Sequence, residues 1–92
     1  NDLNSMRECE SERHFLAKLG GGCQIPAGAY ASITPSENTI KIVGFIASLE
    51  GNPYYRLEKS GKIEDRKNIA LNLAQELLDM GGKDIINNIR KV

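Results

Sequence analysis

The side chain best suited to chemistry in this sequence is the thiol of Cys23, within the stretch Gly20-Gly21-Gly22-Cys23-Gln24-Ile25-Pro26. Three consecutive glycines are unfavourable inside a helix or a strand, because each loses more backbone entropy on ordering than a residue with a Cβ. Apolar residues at helical spacing precede the glycines, and a strand-like alternation follows them. We therefore predict that Cys23 lies on a helix-to-strand loop, where a bulky group can approach the backbone closely.

The residues alone leave a second interpretation of this stretch open. Gly20 could act as a left-handed C-cap of the preceding helix, and Cys23 could be a small buried hydrophobic residue, as free cysteines commonly are. Thiol labelling distinguishes the two interpretations. A buried cysteine reacts only when the chain unfolds, whereas a loop cysteine is modified quickly in the native state.

The elements that must position Cys23 are predicted from apolar periodicity and turn-forming residues. We predict a helix from about Leu3 to Leu19, strands at Tyr30–Thr34, Thr39–Leu49 and Tyr54–Ser60, a helix from about Glu64 to Met80, and a short final helix containing Ile85, Ile86 and Ile89. Gly44 interrupts the middle strand, which indicates a bulge or a close neighbour. Gly81 and Gly82 are expected to stop the long helix in a left-handed conformation. The order α-β-β-β-α-α predicts an α+β fold, with a three-stranded antiparallel sheet and the helices packed on one of its faces.

Length and charge restrict the classes of function. The chain has 92 residues with 12 basic and 12 acidic side chains, so we predict one domain over residues 1–92 and no partnership with nucleic acid or membrane. The two cysteines are too few for the disulfide framework of small secreted domains, which predicts a reduced, cytoplasmic protein. No segment has the length of apolar sequence that spans a membrane or the pattern of a signal peptide. The chain does not begin with Met, and we expect a domain of a longer protein.

The remaining candidate side chains are predicted to have structural roles. Cys9 falls near the Met6 side of the first helix and is expected to be a half-buried helix residue. His14 is expected at the surface, and as the only histidine it forms no metal pair at local spacing, so we predict no metal site. Most of the acidic residues are expected to lie on solvated helix surfaces.

Three segments together resemble a known family. Glu12-Arg13-His14-Phe15-Leu16, Gly21-Gly22-Cys23-Gln24-Ile25-Pro26 and Gly28-Ala29-Tyr30-Ala31 are similar to the C-terminal domain of porphobilinogen deaminase, also called hydroxymethylbilane synthase. Residues 39–60 resemble the next two strands of that family and residues 70–81 its closing helix. The resemblance therefore covers most of the chain.

The resemblance implies a role for Cys23 and for the chain as a whole. In this family the cysteine of the motif carries a dipyrromethane cofactor through a thioether, a bond that resists the reductants of the cytosol, while Gln24 is expected to shape the loop. The complete three-domain enzyme is a transferase that condenses four porphobilinogen units into hydroxymethylbilane with release of ammonia. Its catalytic aspartate and substrate-binding arginines lie in the other two domains. The resemblance thus implies that this C-terminal domain contains no catalytic residue and is inactive alone.

The number of arginines agrees with that expectation. Each pyrrole unit carries two carboxylates, so a growing chain needs a cluster of arginines to bind it. The five arginines of this sequence are spread over four predicted elements; they are Arg7, Arg13, Arg56, Arg66 and Arg90.

Double-stranded RNA-binding domains offer an alternative, because they share the order of a helix, three antiparallel strands and a helix. Such domains need a basic surface against the phosphates. At the start of the long helix this chain has Lys62-Ile63-Glu64-Asp65-Arg66-Lys67, in which the opposite charges cancel. A gel shift at low salt distinguishes this alternative from the cofactor-carrying domain.

Overall fold

A computed structural model describes residues 2–20 and 26–90, with the side chains of residues 88–90 left undescribed. Its helices and strands are α1 (Asp2–Leu19), β1 (Ala27–Thr34), β2 (Thr39–Ala47), β3 (Tyr54–Lys62), α2 (Arg66–Leu77) and α3 (Lys83–Arg90). Short 3-10 turns precede β2 and α2, and a π turn joins α2 to α3. The predicted element order is confirmed.

The three strands form one antiparallel sheet in the order β1-β2-β3, which confirms the prediction that the strand beginning at Thr39 is central. Along β2, Ile40, Ile42 and Ile46 are buried on one face of the sheet, while Lys41 is exposed on the other face. Side chains alternate between the two faces of a strand, and residues that pair across strands lie on the same face. The register with β2 therefore determines which residues of β1 and β3 face the core. One face therefore supports the core, and the opposite face is open.

The core lies between the sheet and the helices. Its buried members come from α1, β1, β2, the turn before α2, α2 and α3, while β3 contributes the partly buried Tyr55 and Leu57. The buried members are Phe15, Leu19, Ala31, Ile40, Ile42, Ile46, Ile63, Ala70, Leu73, Ala74, Leu77, Ile85 and Ile86. The long helix, predicted from its apolar periodicity, packs its apolar residues against the sheet, since Ala70, Leu73, Ala74 and Leu77 are all inaccessible to solvent. This shared core fixes α1 and α2 on the same face of the sheet.

Gly44 has a close neighbour, as its position in the central strand predicted, but it makes no bulge. It pairs in register with Ala29 on one side and Leu57 on the other. An ideal Cβ built on Gly44 would lie 2.5 Å from Cε2 of Phe15. The missing side chain therefore makes room for the phenyl ring that joins α1 to the sheet.

Several predicted boundaries were wrong by a few residues. The first strand begins at Ala27 rather than Tyr30, because β2 is long enough to pair with these small residues, and Ala27 lies opposite Ile46. The second strand ends at Ala47 rather than Leu49. The long helix begins at Arg66 rather than Glu64, since residues 63–65 form a 3-10 turn. It ends at Leu77 rather than Met80, where a π turn begins. Gly81 breaks the helical backbone within that turn, with φ of 144° and ψ of −3° instead of the left-handed helical values that were predicted.

The first turns of α1 do not belong to the core, although they carry apolar residues. Leu3 is 51% exposed and Met6 is 67% exposed. Glu12 contacts Ala31 and Glu8 contacts Ile33, so α1 runs antiparallel to β1 and its first turn passes the strand's end at Thr34. The sheet is too short to cover the start of the helix.

Candidate functional site

Cys23 and Gln24, the sequence-predicted attachment residue and its neighbour, lie outside the described residues. The structure does describe the residues on either side of positions 21–25, which are Gly20 and Pro26. Gly20 is exposed and follows α1 with φ of 108°, while its N–H donates to the carbonyl of Ala17 at 3.1 Å. Pro26 is half-buried, and its carbonyl accepts the N–H of Ala47 at 2.8 Å. The stretch containing Cys23 therefore begins at an exposed residue and ends at one anchored to β2.

Two carboxylates join the elements on either side of that stretch. Oε2 of Glu12 accepts the backbone N–H of Ala31 at 2.9 Å, and Oε2 of Glu8 accepts that of Ile33 at 2.9 Å. Both glutamates are half-buried, so the expectation of solvated acidic side chains is wrong at these positions. The available sequence signal was their spacing of four residues, which places them on one helix face.

An aromatic pair lies on the open face of the sheet, at the end where β1 begins. The rings of Phe45 and Tyr54 are stacked with centroids 6.0 Å apart and an interplanar angle of 28°. An ideal Cβ on Gly28 would lie 2.7 Å from Cε1 of Phe45. The glycine of the Gly28-Ala29 segment thus accommodates the ring of Phe45.

Cys9 is exposed, so the prediction of a half-buried residue is wrong. It precedes the buried Ser11 by two residues, which in a helix of 3.6 residues per turn puts it about 160° away from that core position. The thiol lies in an open groove of about 320 Å³ together with other residues of the outer face of α1, Asp2, Ser5, Met6, Glu10 and Arg13.

We predict that Cys9 is alkylated in the native protein at a rate close to that of an unstructured peptide, because the residue is exposed and the groove that it lines is open. Time-resolved mass spectrometry with iodoacetamide measures this rate, and a Cys9→Ser variant identifies the signal. Protection of Cys9 until the protein unfolds would contradict its exposed position.

The single histidine does not belong to a metal site among the described residues. His14, predicted at the surface, is half-buried. Within residues 2–20 and 26–90, no three histidine, cysteine, aspartate or glutamate side chains are grouped so that they could hold a metal ion. In the same part of the chain, no helix is long and apolar enough to cross a membrane.

The described arginines lie on different parts of the fold. Arg7 and Arg13 are on α1, and Arg56 is on the open face of the sheet, which separates it from the helices. Arg66, at the start of α2, donates from Nε to Glu10 at 3.2 Å and from Nη1 to the carbonyl of Ile63 at 3.0 Å. Arg66 therefore ties α2 to α1, although an RNA-binding domain would direct such a residue to phosphate.

The comparison with known families decides the assignment. A family model described as porphobilinogen deaminase, C-terminal domain, matches residues 6–79. The chain belongs to this family. The match includes α1 from Met6, the complete sheet, α2 and the stretch around Cys23.

Several curated relatives of this porphobilinogen deaminase C-terminal domain come from bacteria. The chain is 42% identical over 85 residues to a porphobilinogen deaminase of Carboxydothermus hydrogenoformans, which covers 92% of the chain and 27% of that protein. It is 37% identical over 89 residues to that of Maridesulfovibrio salexigens, covering 97% of the chain and 28% of the relative. The enzyme of Aliarcobacter butzleri is 37% identical over the whole chain, which matches 29% of its length. The chain thus spans less than a third of each of these relatives.

Proposed function

We propose that this domain functions within a longer porphobilinogen deaminase that condenses four porphobilinogen units into hydroxymethylbilane with release of ammonia, in tetrapyrrole and haem biosynthesis. The observation that carries the proposal is the family match over residues 6–79. The relatives named porphobilinogen deaminase are more than three times as long as the matched region, which supports further domains in the same protein. We propose two such domains and a cytoplasmic location.

Within that enzyme, we propose that the sulfur of Cys23 carries dipyrromethane through a thioether. The donor fits, because a thiolate is a strong nucleophile and forms a stable bond to carbon. The exposed end of α1 at Gly20 also supports a tether that is open to the rest of the enzyme. When bound, the cofactor supplies a covalently held primer to which porphobilinogen units are added. This chain's residues hold that primer.

The binding of substrate carboxylates and the transfer of protons are proposed to depend on the other domains. Arg66 is already engaged by Glu10 and the carbonyl of Ile63, and Arg56 is on the opposite side of the sheet from α1. A polypyrrole with two carboxylates per ring needs several arginines on one surface. We therefore expect the domain alone to have no turnover.

The test compares the complete enzyme with Cys23→Ser and Cys9→Ser variants. We expect a reductant-resistant mass increase in the parent and in Cys9→Ser, and neither the adduct nor turnover in Cys23→Ser, because serine provides no thiolate. Intact-mass spectrometry and a colour reaction for pyrroles measure the adduct. If the adduct persists in Cys23→Ser and disappears in Cys9→Ser, the attachment site is Cys9.

A further inference from the structure

The two glutamates that accept hydrogen bonds from β1 have a regular geometry. Glu8 and Glu12 are one turn apart on α1, and Ile33 and Ala31 are two residues apart on β1. Each carboxylate accepts one backbone N–H at 2.9 Å. Four residues of helix and two residues of strand have similar lengths, about 6 and 7 Å. Because α1 and β1 run antiparallel, the residue later in α1 therefore binds the residue earlier in β1.

These hydrogen bonds occupy the free edge of the sheet. Among the strands that the structure describes, β1 pairs only with β2, so it is an edge strand. In an antiparallel pair every second N–H points away from the neighbouring strand. The N–H groups of Ala31 and Ile33 are such outward donors. The carboxylates take the place of a fourth strand and cover an edge that would otherwise be open to pairing.

The two hydrogen bonds from Ala31 and Ile33 to Glu12 and Glu8, here called the glutamate clamp, join the two elements that flank the stretch containing Cys23. Glu12 is eight residues before Gly20, about 12 Å along the helix. Ala31 is five residues after Pro26, about 17 Å along the strand. Phe15 and Leu19 hold the same part of α1 in the core, but apolar contacts fix the register between a helix and a strand less strictly than hydrogen bonds between defined atoms.

We propose that Glu8 and Glu12 are positioning residues that hold α1 and β1 in one register and so fix the two attachments of the Cys23 stretch. The inference rests on the proposed function of Cys23 and extends it to residues that lie outside the loop. It also assigns a role to the glutamate of the Glu12-Arg13 segment. The role requires a hydrogen-bond acceptor, so a glutamine, whose carboxamide oxygen also accepts, should preserve it.

The experiment uses the complete enzyme with Glu8→Ala/Glu12→Ala, Glu8→Gln/Glu12→Gln and Glu10→Ala. Glu10 is the matched control, because it lies on the same helix and carries the same charge but contacts Arg66 of α2. We measure amide hydrogen exchange at Ala31 and Ile33, and the fraction of protein with an adduct on Cys23. Should the double alanine variant not accumulate, Glu12→Ala alone reports on Ala31.

In the alanine variants we expect exchange at the targeted amides to increase about tenfold or more. We also expect the fraction with adduct to fall severalfold at temperatures well below unfolding. The glutamine variant and Glu10→Ala should resemble the parent in both readouts. Unchanged exchange at Ala31 and Ile33 would overturn the clamp, and faster exchange with an unchanged adduct fraction would overturn its positioning role. A parent enzyme without adduct on Cys23 would refute the proposed function. Hydrogen exchange at the amides of Ala31 and Ile33 would still show whether Glu8 and Glu12 hold β1.

Discussion

Replacing Phe15 with alanine is expected to lower the free energy of unfolding by about 3 to 5 kcal/mol. The ring is completely buried, lies against Gly44 and joins α1 to the sheet, so its removal leaves a cavity that the surrounding residues cannot fill. Domains commonly have only about 5 to 15 kcal/mol of stability in total. A large part of the stability therefore depends on this ring. Urea unfolding followed by circular dichroism measures the change.

The adjacent Leu16 provides the matched control for Phe15. It is 37% exposed on the same helix, and Leu16→Ala is expected to cost about 1 kcal/mol or less, because part of its surface is already hydrated. Equal losses for the two alanine variants would contradict the position of the core.

Gly44→Ala is expected to destabilise the chain by about 2 to 3 kcal/mol through overpacking. The new methyl group would lie within 2.6 Å of two atoms of the Phe15 ring and 3.2 Å from Cδ2 of Leu73, and all these atoms are in the core. A smaller residue at position 15 should relieve the clash. We therefore expect the variant Phe15→Leu/Gly44→Ala to be at least about 1 kcal/mol more stable than the sum of the single changes indicates.

Gly28→Ala is the comparison for Gly44→Ala, because the three atoms nearest to its methyl group all belong to the ring of Phe45. That ring is half-buried on the open face of the sheet and can move aside, so a smaller loss is expected. Strict additivity in the double-mutant cycle of Phe15 and Gly44, measured by urea unfolding, would show that the two positions are not packed together.

The parts of the fold that were predicted correctly are those in which local pattern and burial agree. In α2, the rows that contain Ala70, Leu73 and Leu77 face the core, as the helical spacing predicted. In β3, Tyr55 and Leu57 are half-buried on the core face while Arg56 and Glu58 are exposed, as the alternation of apolar and charged residues along this strand indicates. Each of these elements lies against the core along most of its length, so its periodicity reports its environment directly.

The incorrect predictions depend on where elements end relative to one another. Cys9 was expected to be half-buried near Met6, but both residues are exposed, because the start of α1 extends past the end of β1 and Cys9 faces away from the core. Helical periodicity shows neither fact. Glu8 and Glu12 were assigned to solvent because nothing local shows that the edge of a strand lies beside them. The attachment role of Cys23 stays a prediction, which its sequence motif and family support.

The most direct test of that role is a peptide map of the complete enzyme. Proteolysis without prior reduction, followed by tandem mass spectrometry, assigns the pyrrole adduct to one peptide and one sulfur. We predict that the adduct is on Cys23, in the peptide that joins α1 to β1, and that Cys9 is unmodified. An unmodified Cys23 peptide from active enzyme would contradict the cofactor-carrying role of this domain.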